Sequence, residues 1–252
     1  MSSLEVLFTP AESLNLSKRD LSETTCVVFD VLRATSTMVT ALWNGAAAVI
    51  PVEEIEEALA LRQRQPGVLL AGERDGVRIG PDLTGGGAFD LGNSPREFTP
   101  AAIQGKTIVM TTTNGTRALR ACGQARSTLV GSFLNLGATA DSIRQSAPIR
   151  LLLVCSGTLD QAAYEDVLGA GALCDLVWKR YQDGHVADSA CMARELFQQS
   201  REDLESALSR SRNARRLLSR PELQEDVAFC CRRDSFPLIA ALGKDGLVTR
   251  AG

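Results

Sequence analysis

Short apolar runs alternate along this chain with longer stretches whose apolar positions recur every three to four residues. The runs at 4–8, 25–29, 47–52, 68–71, 107–110, 128–130, 149–154 and 238–242 predict β-strands. Helical periodicity at 35–43, 53–64, 116–121, 135–145 and 164–180 fills the gaps between them. Several strands are apolar at consecutive positions, as in Val27-Val28-Phe29 and Leu151-Leu152-Leu153-Val154, so both of their faces meet protein. The pattern predicts an α/β fold: a mostly parallel or mixed sheet with helices on both faces, three layers deep. From about 186 to 233 it is helical throughout and broken by Pro221. The chain reads as a single compact domain over residues 1–252, with internal strand–loop–helix repetition and a division into two lobes left open.

Charge and cysteine usage narrow the partners. Net charge is −3 with no long basic run, which leaves nucleic acid without an electrostatic footprint. The densest basic cluster, Arg210, Arg212, Arg215 and Arg216, reads as a solvated helix face. No apolar run reaches membrane-spanning length, and the first ten residues hold Glu5 and no basic stretch, so neither a membrane span nor a secretory leader is predicted. The seven cysteines are odd in number and lack metal-ligand spacing. They read as reduced, buried thiols of a cytoplasmic protein. A homo-oligomer stays open.

Candidate chemistry gathers where strands end. Three times an apolar strand runs into a small polar loop and then a helix. These loops are Asp30-Val31-Leu32-Arg33-Ala34-Thr35-Ser36-Thr37, Thr111-Thr112-Thr113-Asn114-Gly115-Thr116-Arg117 and Ser156-Gly157-Thr158. Loops after parallel strands collect at the edge where α/β proteins bind ligands, and helix amino ends there offer N–H groups to an anion. Helix capping accounts for any one of these loops; three together favour a phosphate cradle. Asp30 ends one apolar strand and Glu73, in Gly72-Glu73-Arg74, follows another, while Glu165 and Asp166 open the helix after Ser156-Gly157-Thr158. An acid at the end of a buried strand is costly without a partner. Oxygen donors without His or Cys geometry point to Mg²⁺ or Mn²⁺ and away from Zn²⁺.

Familiar phosphate machinery fails one test after another. Gly105-Lys106-Thr107 lacks the upstream glycine of a Walker A loop and precedes its strand. Gly169-Ala170-Gly171 lies inside a helical pattern, which makes it a packing feature, and so does the Cys174…Arg180 spacing. The lone histidine, His185, sits beside Gly184 and reads as a surface turn. Asp30 stands where haloacid-dehalogenase phosphatases carry their nucleophile, but Leu32 and Ala34 replace that family's second acid and its threonine.

The blocks Phe29-Asp30-Val31-Leu32-Arg33-Ala34-Thr35-Ser36, Gly72-Glu73-Arg74, Phe89-Asp90 with Asn93-Ser94-Pro95, Thr111-Thr112-Thr113-Asn114-Gly115-Thr116-Arg117, Gly157-Thr158, Glu165-Asp166 and Phe229-Cys230-Cys231-Arg232-Arg233-Asp234 resemble the 2-phosphosulfolactate phosphatase family over nearly the whole chain. The resemblance implies Mg²⁺-dependent hydrolysis of 2-phospho-3-sulfolactate, a small anionic phosphoester, to 3-sulfolactate and phosphate, a step of coenzyme M biosynthesis. Glu165 stands where the family usually has Asp, and residues 77–86 look like a local elaboration. Residue motifs and resemblance together mark Asp30, Glu73 and Asp166 as catalytic and metal-binding. They mark Arg33, Arg74, Asn93, Ser94, Thr112, Thr113, Asn114, Gly115, Thr116, Arg117, Ser156, Gly157 and Thr158 as substrate-binding. Arg33, Arg74 and Arg117 are the expected oxyanion forks. Asp30 is left as metal ligand or nucleophile, and the missing second acid favours metal ligation with attack by water. Two alternatives remain: a phosphatase of another small phosphorylated carboxylic acid, or an anion-binding protein that has lost catalysis.

Overall fold

The computed structural model describes residues 1–251. Its strands are β1 (Ser3–Leu7), β2 (Thr24–Phe29), β3 (Ala48–Val52), β4 (Leu69–Arg74), β5 (Val77–Arg78), β6 (Thr107–Thr111), β7 (Ser127–Gly131), β8 (Arg150–Cys155), β9 (His185–Val186), β10 (Ile239–Leu242) and β11 (Val248–Ala251). They form one sheet in the order β5-β4-β6-β3-β11-β10-β7-β2-β8-β1-β9. Every strand expected from the apolar runs is there. The additions are two-residue β5 and β9, too short to show a period, and β11, whose Thr249 and Arg250 break the apolar run. The five predicted helices are present as Ala34–Trp43, Ile55–Arg64, Gly115–Ala121, Leu136–Ser146 and Tyr164–Tyr181.

The sheet is mixed. Two parallel blocks, β4-β6-β3 and β7-β2-β8-β1-β9, are joined by the antiparallel hairpin β10–β11. Three successive antiparallel pairings make the two blocks run nominally in opposite directions. A twist of about 20–25° per pairing accumulates to roughly 100–125° across the five pairings from β2 to β6. The rotation swings the carboxyl ends of β2 and β8 towards those of β4 and β6, and Gly115, just beyond β6, packs on Asp30, just beyond β2. The strand ends therefore meet across a twisted mixed sheet, and not along the edge of a parallel one.

Side-chain alternation divides the core between the faces. Val27 and Phe29 of β2 join the cluster under helices Leu136–Ser146 and Tyr164–Tyr181, while Cys26 and Val28 join the one under Ala34–Trp43 and Gly115–Ala121. Val52, Leu70 and Val109 bury the inner side of Ile55–Arg64 in a third. Gly171 abuts the Ala193 carbonyl and Phe197 so closely that no Cβ fits, which makes the Gly169-Ala170-Gly171 stretch a helix-packing seam. The helical tail, Asp188–Ser200, Leu204–Ser209, Arg212–Leu218 and Glu225–Cys230, turns back over the converging strand ends. Asp226 there pairs with Arg33, and Asn213 donates to Thr158.

His185 lies exposed on edge strand β9, paired with Ser3. The cysteines are all free, and Cys26, Cys122, Cys155, Cys174 and Cys230 are buried. Among the described residues no helix is long and apolar enough to cross a membrane.

Candidate active site

Asp30 is buried immediately beyond β2 and is held on three sides. Its N–H donates to Thr35 Oγ1 (3.1 Å), its carbonyl accepts from Thr35 N (2.9 Å), and its Oδ1 accepts from Ala34 N (3.1 Å). The first turn of helix Ala34–Trp43 thus spends its donors on this aspartate. Oδ2 faces Gly115, where a Cβ would come within 2.6 Å of it and 2.6 Å of Ala34 Cβ. Only glycine allows that approach. Burial pushes the Asp30 carboxyl up to about 6, with the charges of Glu73 and Glu165 adding to the rise while the Ala34 N–H and Ser156 oppose it.

Glu73, at the end of β4, is fixed from the other block. Its Oε1 accepts from the N–H and Oγ1 of Thr113 (both 3.0 Å), and its Oε2 accepts from Gly76 N (2.7 Å). Asp166 does different work. Its Oδ1 accepts from Val31 N (2.8 Å), and its Oδ2 accepts from Ser156 Oγ (3.2 Å) and Gly157 N (3.1 Å). It therefore clamps the loop after β2 to the loop after β8. Burial, then the charges of Asp30 and Glu165, push its carboxyl well above the ordinary carboxylate range. Burial raises Glu165 as well; its Oε1 accepts from Asn213 Nδ2 (2.5 Å), and its buried Oε2 has no partner among the described residues.

A cavity of about 110 Å³ opens over Asp30 and Glu73. Of the residues marked from sequence, it also brings together Arg33, Asn93, Thr113, Asn114 and Thr158. Others lie outside its lining and are occupied elsewhere. Arg74 donates to the carbonyls of Glu73 (2.8 Å) and Glu53 (3.3 Å) and to Thr111 Oγ1 (3.1 Å), and Arg117 pairs with Glu54 (3.1 Å) on the surface. Ser94 Oγ donates to Asp226 (2.7 Å), Thr112 and Thr116 bond to each other, and Ser156 and Gly157 hold Asp166. Buried hydroxyls in such loops satisfy neighbouring backbone and side chains first. They build the scaffold, and the carboxylates and amides face the cavity.

Arg33 borders the cavity while anchored behind it, with Nη1 donating to Asp226 (2.7 Å) and Nη2 to the Gly76 carbonyl (2.9 Å). Six lining residues escaped the sequence reading: Asp75 and Gly76 just beyond β4, Leu159, and Asn213, Arg216 and Leu217 of the helical tail. Arg216 pairs with exposed Asp75 at 3.0 Å. Arg212 donates to the Thr158 carbonyl (2.7 Å) and Gln161 Oε1 (3.1 Å). The helix read as a solvated basic face thus turns Arg212 and Arg216 to the site. The usable signal was spacing, since Asn213, Arg216 and Leu217 fall at i, i+3 and i+4 and share one face with buried Ala214.

Among the described residues no three His, Cys, Asp or Glu side chains stand together as a ready-made metal centre. Asp166 lies outside the cavity lining, with its oxygens holding the loops after β2 and β8. Asp30 and Glu73 border the cavity with Asn93, whose buried Oδ1 has no partner. Two carboxylates and an amide oxygen, completed by substrate phosphate and water, match the donors Mg²⁺ takes.

A family model described as 2-phosphosulpholactate phosphatase matches residues 11–245. The chain is 43% identical over 218 residues to a "probable 2-phosphosulfolactate phosphatase" of Thermotoga petrophila, covering 86% of this chain and 88% of that protein. It is 39% identical over 238 residues to one of Caldanaerobacter subterraneus, covering 93% of each. A third, of Clostridium acetobutylicum, is 33% identical over 226 residues, covering 89% of this chain and 92% of the relative.

Proposed function

The chain belongs to the 2-phosphosulpholactate phosphatase family, and we propose that it hydrolyses 2-phospho-3-sulfolactate to 3-sulfolactate and inorganic phosphate in the cavity over Asp30 and Glu73. The carrying observation is that two strand-end carboxylates from different blocks of the sheet border one cavity with the unpartnered Asn93 Oδ1. The cavity's cations, Arg33 and Arg216, stand where a phosphoryl group would need charge neutralised.

Asp30, held by Ala34 N–H and braced by Gly115, orients the attacking water at phosphorus. Burial raises its carboxyl to about 6 in the metal-free protein, which leaves it ionised near neutrality. Asp30, Glu73 and Asn93 Oδ1 would hold Mg²⁺, which when bound neutralises charge on the phosphoryl oxygens. Glu73 is kept rigid by Thr113 and Gly76, and Asp166 acts as a positioning residue for the loops after β2 and β8. The free cysteines support a reducing, cytoplasmic setting.

The test is phosphate release from 2-phospho-3-sulfolactate beside Asp30→Asn and Glu73→Gln, each expected to lose about 10²–10⁴-fold in turnover. Intact-mass measurement of acid-quenched enzyme should find no phosphorylated protein. A phosphoprotein that forms and decays with turnover would make Asp30 the nucleophile instead.

A further inference from the structure

We propose that a second pocket, which shares Asn213 with the catalytic cavity, is a binding site for free inorganic phosphate. It measures about 420 Å³ and lies between the amino end of helix Tyr164–Tyr181 and the residues that open helix Arg212–Leu218. The 18-residue helix begins after Ala163 without a side-chain cap, and such an end favours an anion. At the rim stand the exposed Arg210 and Arg212, whose guanidinium groups bond uncharged partners among the described residues. Arg210 reaches the Tyr164 hydroxyl (3.4 Å), and Arg212 reaches the Thr158 carbonyl (2.7 Å) and Gln161 Oε1 (3.1 Å).

The floor selects which anion. Glu165 lies there, 1% exposed, as the one acid lining the pocket among the described residues. Its Oε1 accepts from Asn213 Nδ2 (2.5 Å), and its buried Oε2 has no partner. Burial raises this carboxyl, while Asn213 and the charge of Arg212 hold it towards the ionised form. A carboxylate can only accept, so Oε2 requires a hydrogen-bond donor. A rim suited to an anion over a floor suited to a donor describes an oxyanion that still carries a proton. Near pH 8 phosphate is HPO₄²⁻, with an O–H for Oε2 and its other oxygens for the arginines and the helix end. Sulfate and phosphate monoesters are fully ionised there and would set an oxygen against the carboxylate. The pocket therefore accepts what the proposed hydrolysis releases and rejects the phosphoester it consumes. Asn213 also donates to Thr158 Oγ1 (2.8 Å), and both residues line the catalytic cavity, so occupancy bears directly on the site.

The experiment is calorimetric titration of the metal-free chain at about pH 8 with inorganic phosphate, sulfate and methyl phosphate. Wild-type protein should bind phosphate at least about tenfold tighter than either of the others, since both leave Oε2 without a donor. Arg210→Gln, a change at the exposed rim, should weaken phosphate binding by about tenfold. Glu165→Gln puts an amide donor in place of Oε2 and should erase the preference for phosphate over sulfate, which mere loosening of the fold would not do. Arg210→Gln serves alone if the Glu165 variant fails to fold. Phosphate that binds no tighter than sulfate, or not at all, overturns the site. So does phosphate binding that neither variant changes, which would place the ion in the catalytic cavity. None of these readouts involves hydrolysis, so the pocket and the phosphatase reading stand or fall separately.

Discussion

Asp30 and Gly115 come from opposite blocks of the sheet, yet a Cβ on residue 115 would lie 2.6 Å from Asp30 Oδ2. This contact joins the two halves at the Asp30 carboxylate. Gly115→Ala must push Asp30 or Ala34 aside, and overpacking of that kind costs about 1–3 kcal/mol. Displacing the carboxylate should also lower kcat by roughly tenfold or more. Urea unfolding and steady-state kinetics check the two effects; a Gly115→Ala enzyme with wild-type kcat would show that Asp30 tolerates movement.

Asp166 predicts a structural phenotype. Replacement by Ala strands the N–H groups of Val31 and Gly157 and the Ser156 hydroxyl in a buried loop. Each buried unsatisfied donor costs about 1–3 kcal/mol, so with three stranded the metal-stripped protein should lose roughly 3–9 kcal/mol. A residue acting only as a metal ligand would leave the stripped protein's stability unchanged.

The Arg33–Asp226 pair, 2.7 Å apart with both side chains buried, ties the helical tail to the loop after β2. Breaking it by Asp226→Asn leaves an uncompensated buried guanidinium and should cost about 3–5 kcal/mol. Chemical denaturation of single and double variants should show strong coupling, because Arg33→Met removes the charge that Asp226 answers. Additive losses would mean that the pair does not act as a unit.

The clustered carboxyls set the sign of the pH dependence. Asp30 is raised to about 6 in the folded protein and returns to the ordinary carboxylate range when unfolded. Between those values the folded state binds more protons than the unfolded one, so stability falls as pH rises through that window. Burial moves Glu165 and Asp166 in the same direction. Metal-stripped protein should therefore melt higher at about pH 5 than at about pH 7.5, with a smaller difference in Asp30→Asn. Calorimetric melts check it, and a melting temperature that climbs steadily with pH would contradict it.

How much of this was legible follows from the physics of each residue. Eight strands show in the sequence through their apolar runs, most plainly β2 and β8, whose two faces are both buried, and Asp30 and Glu73 show because an acid rarely follows such a run. Arg117 was placed in the cradle by its motif. In the helix, Thr116, Ala118 and Leu119 take the buried side and leave Arg117 to Glu54. The role of Asp166 depended on donors from Val31 and Gly157, which only the pairing of β2 with β8 brings together. Asn213 and Arg216 share a helix face with buried Ala214, but nothing local shows that the helical tail closes over the strand ends.

The most direct test of the site is phosphate release from 2-phospho-3-sulfolactate by metal-stripped protein as Mg²⁺ is titrated, beside Asp30→Asn and Glu73→Gln. Wild-type activity should be absent in EDTA and return with Mg²⁺, with Zn²⁺ no better, and both variants should stay about 10²–10⁴-fold lower at saturating metal. Full activity in EDTA, or an Asp30→Asn enzyme as fast as wild type, would contradict a carboxylate-built, metal-assisted site at Asp30 and Glu73.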